Sequence, residues 1–445
     1  MGHPESRLQT PAGTLAPGHY WMPFTPNKDF RAHPMMAVKA EGMYYWNQRG
    51  DKILDASSGL FCVAAGHARP EIAEAVRKQL MELDFIPSFL RAHPKAFELA
   101  GRIAKMTPGD LNSVFFTNSG SEAVDTAMKI ALAYHRARGQ AERQVFISRE
   151  RAYHGVGFGG VALSGMANNR RAFGVGLAGV AHMRHTHVPQ NQFQRGEGDH
   201  GVELAEDLTR LINLHGAENI AAVFIEPVAG STGCLVPPKG YLKRVREICD
   251  ANKLLLVFDE VICGIGRMGS NFAAQSFGVT PDILTMAKAL TNGAQPMGAV
   301  ASSERIYRTV IDSAGAQAVE FFHGYTYSAH PVSCAAALAA LDIYEKDGLF
   351  QRARALSPYF LDAVFSLKDM GIVTDIRGYA SMAAFDIAPA GAPGARGHEL
   401  QKRLYESGLH LKTTGDTAIL APAFVAQKQH IDRMMEVLRK VLKTL

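Results

Sequence analysis

Charged side chains stand at the ends of three apolar segments of this chain. IAAVFI is followed by Glu226, LLLVF by Asp259 and Glu260, and DILTMA by Lys288. In open α/β sheets ligands bind at the carboxyl ends of strands, so these positions are candidates for chemistry. Glu226 alone fits a simple strand end, and Lys288 alone fits a helix start with its ammonium in solvent. Charged residues at the ends of three consecutive apolar segments predict one crevice that holds carboxylates and a lysine.

A Ser-Gly-Ser turn follows a fourth apolar segment, SVFFT. Ser119 and Glu122 have the spacing of a capping box, and Gly120 permits close approach to the backbone. Free N–H groups at a helix start, together with the hydroxyls of Ser119 and Ser121, suit a phosphate group. Many helices begin this way without a ligand, so the turn alone leaves the question open.

A phosphate site, a strand-end aspartate and a semi-buried lysine together match the requirements of pyridoxal 5'-phosphate. The lysine binds the aldehyde as a Schiff base, and a carboxylate keeps the pyridine nitrogen protonated so that the ring acts as an electron sink. Side chains are also needed against both faces of the ring. Tyr153 in RAYHG and Val261, two residues after Asp259, are candidates.

The elements that must position these residues alternate regularly after about residue 100. Continuous apolar runs between helical segments are typical of parallel strands covered on both faces. The predicted strands are SVFFT, RQVFIS, NIAAVFIEP, NKLLLVFDE and PDILTMA. Before them, short strands with a turn at residues 48–51 precede a helix that starts at Pro70. After about Ser333, an Ala-rich helix leads into a smaller α+β pattern.

These patterns predict an α/β protein with a large domain and a smaller one built from both chain ends. We expect a flexible arm over residues 1–20 and an N-terminal segment of the small domain over 21–65. The large cofactor-binding domain is expected over 66–332, and the C-terminal part of the small domain over 333–445.

Composition is that of an ordinary globular enzyme. The chain has 445 residues, of which 47% are hydrophobic and 20% charged. The net charge of +5 is evenly spread, so we expect no nucleic acid and no membrane as partner. The five cysteines are scattered without a C-x-x-C pair, which predicts reduced thiols and a cytoplasmic location.

Longer motifs resemble those of the class III pyridoxal-phosphate aminotransferases. LLLVFDEVICGIGRMGS followed by PDILTMAKALTNGA is similar to their cofactor-lysine signature. Further matches run along nearly the whole chain, among them SGLFCVAAGHARPEI, FFTNSGSEAVDTAMK, FIEPVAGSTGCLVPPKGYL and GDTAILAPAF. YWMPFTPNKDF, HGYTYSAHP and VELAEDL look closest to the ω-aminotransferases of β-alanine:pyruvate type. The resemblance implies fold type I, with a mostly parallel seven-stranded sheet covered by helices.

The resemblance also implies a role for individual residues around the cofactor. Lys288, Asp259 and Tyr153 would be catalytic, with Asp259 at the pyridine nitrogen and Tyr153 stacked on the ring. Glu226 would support Asp259. The other cofactor contacts that it implies are Ser119, Gly120 and Ser121 at the phosphate, Val261 on the second ring face, His154 in AYHG, and Thr326.

Thr326 would reach the cofactor of a neighbouring subunit, so the resemblance implies a homodimer with shared active sites. Whether two dimers pair into a tetramer stays open. Leu60, Phe61 and Phe89 would line the pocket for the amine. Relatives usually carry an arginine before the Gly-Asp of GDTAILAPAF, where it receives the substrate carboxylate; this chain has Lys412. The alternative is that Lys412 points to solvent and another residue binds the carboxylate.

The activity implied is transfer of an amino group from a primary amine or ω-amino acid, such as β-alanine, to a keto acid, pyruvate. Both substrates would use one pocket in a ping-pong mechanism. Aminomutases and a decarboxylating relative share the fold and stay open as alternatives. A cofactor-free regulatory relative is disfavoured by the intact Asp259 and Lys288.

Two further motifs do not predict a ligand site. HMRHTH contains His182, His185 and His187, but no carboxylate or cysteine stands beside them in the sequence, so we expect no metal. GVGFGG, from Gly155, lacks the spacing and the preceding strand of a dinucleotide-binding loop.

Overall fold

The computed structural model describes residues 8–10, 13–15, 19–173, 176–177 and 179–445. Most of the expected N-terminal arm therefore lies outside the described residues. Its two described pieces pair with each other as short antiparallel strands, Leu8 opposite Leu15.

Strands and helices alternate along the described part of the chain. The strands there are β1 (Leu8–Thr10), β2 (Gly13–Leu15), β3 (Ala37–Glu41), β4 (Tyr44–Asn47), β5 (Lys52–Asp55), β6 (Ser113–Thr117), β7 (Val145–Arg149), β8 (Val180–Met183), β9 (Ile220–Ile225), β10 (Leu255–Asp259), β11 (Ile283–Met286), β12 (Gly298–Ser302), β13 (Val373–Tyr379), β14 (Met382–Ile387), β15 (Leu409–His410), β16 (Lys412–Thr414) and β17 (Thr417–Leu420). The helices there are α1 (Asn27–Ala32), α2 (Ser58–Phe61), α3 (Pro70–Glu82), α4 (Pro94–Met106), α5 (Gly120–Ala137), α6 (Phe158–Leu163), α7 (Ala167–Phe173), α8 (Glu206–His215), α9 (Tyr241–Ala251), α10 (Ala273–Ser276), α11 (Glu304–Ile311), α12 (Pro331–Lys346), α13 (Leu349–Phe365), α14 (Ala395–Glu406) and α15 (Lys428–Leu442).

A seven-stranded sheet forms the centre of the molecule, in the order β6-β12-β11-β10-β9-β7-β8. Neighbours from β11 to β8 are parallel, and β12 runs antiparallel to both β11 and β6. Strands β9, β10 and β11 are buried along their whole length, as their continuous apolar sequences predict. The predicted mostly parallel, seven-stranded fold is confirmed.

All five strands predicted from apolar runs are present, but β8 and β12 were not predicted individually. The sequence of β12, GAVAS, consists mainly of small residues that have low β-propensity. It is a strand because β6 and β11 flank it, so its conformation is fixed by tertiary pairing.

Two four-stranded sheets lie outside the central one, in the orders β13-β14-β17-β16 and β15-β5-β4-β3. In the second sheet β15 pairs parallel with β5, with Leu409 opposite Leu54 and His410 opposite Asp55. Segments from both ends of the chain therefore meet in one sheet, which is how β5 and β15 come to lie beside each other near the central cleft.

Predicted helices are also found at their expected places. Helix α3 begins at Pro70, whose missing N–H costs nothing in the first turn. The Ala-rich segment forms α12, and the basic C-terminal segment forms α15, whose apolar side is buried. In the part of the chain that the structure describes, none of the helices has the length and apolar character needed to cross a membrane.

Candidate active site

Three of the predicted strand-end residues meet in one cleft. Glu226 follows β9, Asp259 ends β10, and Lys288 begins a short 3-10 turn after β11. Because these strands are parallel neighbours, their carboxyl ends share one edge of the sheet. The residues that line the cleft there are Gly120, Ser121, Tyr153, His154, Gly155, Glu226, Asp259, Val261, Ile262 and Lys288.

Glu260, the fourth strand-end residue, is turned away from this cleft. Its carboxylate accepts hydrogen bonds from the backbone N–H groups of Ala273 and Ala274, at 2.5 and 2.8 Å, at the start of α10. Its function is therefore to cap a buried helix start.

Asp259 is held by hydrogen-bond donors on both carboxylate oxygens. Its Oδ1 accepts from the Val261 N–H and the Thr285 hydroxyl, each at 3.1 Å, and its Oδ2 lies 2.8 Å from His154 Nδ1. Hydrogen bonds to both oxygens fix the orientation of the carboxylate. A fixed negative charge thus stands at the base of the cleft, where it can pair with a protonated ring nitrogen.

Glu226 is fully buried and contacts the backbone of two loops. It accepts hydrogen bonds from Tyr153 N at 2.9 Å and from Gly230 N at 3.0 Å. Burial raises the pKa of Glu226 to about 7, His154 counteracts this and the Asp259 charge adds to it. In the structure the side chain that bonds Asp259 Oδ2 is His154, whereas Glu226 fixes the backbone that carries Tyr153.

The Ser-Gly-Ser turn forms the first turn of α5 at the other side of the cleft. Ser119 Oγ accepts from the Glu122 N–H at 3.1 Å, which is one half of the predicted capping box. The Glu122 carboxylate bonds the N–H of Asn118 at 2.7 Å, one residue before the expected partner. Ser121 Oγ accepts from Val156 N at 3.0 Å, so its own hydrogen is free to donate into the cleft.

Lys288 has a backbone conformation that few residues adopt. Its φ is 51°, in the left-handed region, where any residue other than glycine is strained. Such strain persists when the surrounding structure fixes it, and it concentrates at functional sites. The conformation sets Lys288 in the cleft wall directly after the buried strand β11.

The cleft fits pyridoxal 5'-phosphate by shape as well as by chemistry. A Cβ on Gly120 would lie 2.8 Å from Val261 Cγ1, and a Cβ on Gly155 would lie 2.5 Å from Ser121 Oγ. Both glycines are thus required for the walls to approach each other as closely as they do. The helix start offers N–H groups to a phosphate, and Asp259, Tyr153 and Val261 line the same cleft.

The residues predicted to line the amine pocket are placed differently from one another. Leu60 and Phe89 are exposed, and Phe89 lies against Gly324. Phe61 is buried in an apolar cluster with Ile262, so its ring lies behind the cleft wall. Thr326 is exposed and is absent from the cleft walls in the described part of its own chain.

Lys412 is half-buried on β16. Its Nζ donates to the Thr413 carbonyl at 3.3 Å. Burial lowers the pKa of Lys412, and the positive charge of Lys288 lowers it further. The assignment of Lys412 as the residue that binds the substrate carboxylate therefore stays a prediction.

The structure gives His187 two carboxylate neighbours that the sequence did not predict. Potential ligand atoms of His187, Asp375 and Asp386 lie within 4.8 Å of one another. However, Arg377 Nη1 donates to both carboxylates at 2.8 Å and balances their charge. Burial and the charges of Arg377 and Arg151 lower the pKa of His187 to about 4. We assign no metal to this cluster.

Two contacts of the site were missed by sequence reasoning. Thr285 donates to Asp259 because the two residues are in register on β10 and β11. The position of Thr285 three residues before Lys288 could have indicated this contact, but only if the register of the two strands had been known. Ile262 lines the cleft, and its apolar side chain gave no signal.

The fold and this cleft define a pyridoxal-phosphate-dependent enzyme of fold type I, and comparison with known proteins specifies the family. The sequence profile of the class-III aminotransferases matches residues 26–442. The chain therefore belongs to the class-III aminotransferase family, whose cofactor is pyridoxal 5'-phosphate.

Three similar proteins carry the names of omega-, omega-amino acid or beta-alanine aminotransferases. The chain is 53% identical to an omega-aminotransferase of Caulobacter vibrioides, over 95% of this chain and 97% of that protein. It is 47% identical to an omega-amino acid–pyruvate aminotransferase of Pseudomonas putida (99% of each chain) and 48% identical to a beta-alanine–pyruvate aminotransferase of Pseudomonas aeruginosa (95% of each chain).

Solved structures of similar fold are also omega-transaminases. An (S)-enantioselective omega-transaminase from Thermomicrobium roseum superposes with a TM-score of 0.90 at 35% identity, covering 96% of this chain and 97% of that one. An omega-transaminase from Pseudomonas jessenii in complex with PMP has a TM-score of 0.91 at 30% identity and covers 96% of each chain.

Proposed function

We propose that this enzyme transfers an amino group from a primary amine or ω-amino acid, such as β-alanine, to pyruvate. The observation that carries the proposal is the meeting of Lys288 and Asp259 in one cleft beside the Ser119–Ser121 turn. The names of the relatives with 47% and 48% identity support the choice of β-alanine type donors and of pyruvate.

The residues of this chain have separable tasks in that reaction. Bound pyridoxal phosphate supplies an electron sink next to the carbon that loses its proton. The amine of Lys288 acts as general base and takes this proton from the donor. It then gives the proton back as general acid to complete the amino transfer. Asp259 keeps the ring nitrogen protonated, and the start of α5 binds the phosphate.

Both substrates use the same cleft, so we expect a ping-pong cycle of two half-reactions. The test is to mix the holoenzyme with β-alanine alone and then add pyruvate, while following the cofactor absorbance and assaying for alanine. The proposal expects a stable change of absorbance in the first step and its reversal, with one alanine formed, in the second. Release of CO₂ or an isomerised amino acid without pyruvate would instead favour the decarboxylating or aminomutase alternative.

We further propose a homodimer in which Thr326 of one subunit reaches the cofactor phosphate of the other. The exposure of Thr326 and its absence from the described lining of its own cleft support this arrangement. Sedimentation of the active enzyme as a dimer or tetramer is expected, and a fully active monomer would contradict it. The cytoplasmic location and the domain limits at residues 20, 65 and 332 stay predictions.

Lys412 is proposed to bind the carboxylate of pyruvate and of carboxylated donors. Its half-buried position on β16, where the charge of Lys288 contributes to lowering the pKa of Lys412, supports this role. An ammonium holds a carboxylate through a compact charge without the paired hydrogen bonds of a guanidinium. Donors of varied length are therefore expected to be accepted.

A further inference from the structure

The loop at residues 57–62, between β5 and α3, contains the single irregular turn α2 and has a strained backbone. Ser58 and Phe61 have φ values of 48° and 63°, in the left-handed region that side chains rarely adopt. Gly59 between them has φ 68° and ψ −99°, a conformation open only to glycine. A segment of this kind keeps its shape only when neighbouring groups hold it.

The group that holds this loop is the buried carboxylate of Asp55. Its Oδ1 accepts from the Ser57 N–H at 2.9 Å, and its Oδ2 accepts from the Gly59 N–H at 2.5 Å. The same Oδ2 lies 2.8 Å from His67 Nε2, and both side chains are shielded from solvent. One carboxylate therefore fixes two amides of the strained turn and is itself fixed by a histidine.

The loop is also attached to the strand segment that carries Lys412. The Lys412 N–H donates to Ser57 Oγ at 3.0 Å, and Ser57 Oγ donates to the Ile419 carbonyl at 2.9 Å. The Ala56 N–H donates to the His410 carbonyl at 2.8 Å. Movement of the loop would therefore move the backbone of Lys412.

The other end of the loop lies next to the cleft. Phe61 packs in one buried cluster with Ile262, which lines the cleft wall. Cys62 lies near the turn after Lys288, since a Cβ on Gly293 would be 3.1 Å from Cys62 Cβ. The Lys288 charge is close enough to lower the pKa of the Cys62 thiol against the upward effect of burial.

We propose that Asp55 is a positioning residue for substrate binding, which acts by holding the 57–62 loop and the Lys412 segment in one arrangement. The inference rests on the proposed function, because it concerns the substrates of that reaction. Asp55 touches neither the cofactor site nor the reacting atoms, so its effect should fall on substrate affinity. Cofactor binding and the proton transfers at Lys288 should be affected little.

Asp55→Asn tests this role, because asparagine keeps the size of the side chain but replaces one acceptor oxygen with a donor. In either orientation of the amide, the N–H of Ser57 or of Gly59 loses its acceptor. The KM values for β-alanine and pyruvate should rise about tenfold or more, while kcat falls less than about threefold. Cofactor content and the absorbance maximum of the holoenzyme should stay as in the wild type.

Gly59→Ala provides a second variant that leaves Asp55 in place. Alanine is strained at this φ and ψ, and its Cβ would lie 3.2 Å from the Tyr45 hydroxyl. The same rise of KM without loss of cofactor is expected. If Asp55→Asn fails to fold, Gly59→Ala decides the question.

Asp207→Asn is the matched control. Asp207 is also a buried aspartate, and it accepts from the Arg184 N–H and from Arg210 Nε, each at 2.7 Å, at the start of α8. It lies outside the cleft, so KM should not change even if the melting temperature falls. Wild-type KM values in Asp55→Asn, or a loss of cofactor parallel to the loss of activity, would overturn the inference. A wild-type enzyme without any transfer to pyruvate would instead refute the proposed function.

Discussion

The imidazole of His154 and the carboxylate of Asp259 form a buried hydrogen bond of 2.8 Å between Nδ1 and Oδ2 in the lining of the cleft. Asp259 is a hydrogen-bond acceptor toward all three of its donors, so the proton of this bond belongs to Nδ1. His154 Nε2 is buried and has no hydrogen-bond partner among the described residues. The imidazole therefore serves as a donor that orients Asp259.

His154→Phe should lower kcat by about tenfold, because a hydrogen bond to a charged group is worth about 1.5–3 kcal/mol. The ring keeps its volume and its edge contact with Phe224. Steady-state kinetics at saturating substrates measure the change. An unchanged kcat would show that Thr285 and the Val261 N–H suffice to orient Asp259.

Asp259→Asn should reduce kcat by about 10²-fold or more, because the amide cannot hold a proton on the ring nitrogen by charge. Cofactor binding should fall much less, because the phosphate contacts at α5 remain. Equilibrium dialysis of the cofactor beside single-turnover kinetics separates the two effects. Equal losses in both would mean that Asp259 is a structural residue.

Lys412→Ala should raise the KM for pyruvate and for a carboxylated donor about tenfold or more, and spare an amine that has no carboxyl group. In the wild type the KM for pyruvate should also rise at high pH, when the ammonium loses its proton. Because burial and Lys288 lower the pKa of Lys412, this rise begins below the pH at which an exposed lysine titrates.

Lys412→Arg is the control for charge, because guanidinium stays protonated at these pH values. It should bind pyruvate and lose the rise of KM at high pH. If pyruvate kinetics are unchanged in the alanine variant, the carboxylate binds elsewhere.

Glu226→Gln should make stability less dependent on pH. Burial raises the pKa of Glu226 to about 7 in the folded protein, above its unfolded value, so the folded state holds the proton more tightly. The stabilisation that comes from this tighter proton binding is complete below the pKa of Glu226 in the unfolded chain. It is lost as pH rises through about 7. Between pH 6 and 8 the loss is about 1 kcal/mol.

Thermal denaturation of wild type and Glu226→Gln at these two pH values measures the difference. The melting temperature of the wild type should fall more between pH 6 and pH 8 than that of the variant. Equal changes in both proteins would show that Glu226 keeps one protonation state over this range.

Sequence and structure agree best where local pattern determines position. Asp259 and Lys288 could be placed at strand ends because their strands are continuous apolar runs, and parallel pairing then brings them together. Phe61 could not be placed, because the direction of its ring depends on a positive φ that Asp55 stabilises from outside the loop. The His187 cluster was missed for a similar reason, since Asp375 and Asp386 come from strands almost 200 residues further along.

Covalent trapping tests the central claim, that Lys288 is the residue to which the cofactor is attached and through which amino transfer proceeds. The holoenzyme is reduced with borohydride, digested and mapped by mass spectrometry, beside Lys288→Ala assayed with β-alanine and pyruvate. We predict that the pyridoxyl group is found on Lys288 and that the variant has no turnover. A pyridoxyl group on Lys412 or any other lysine, or turnover by Lys288→Ala, would contradict the account.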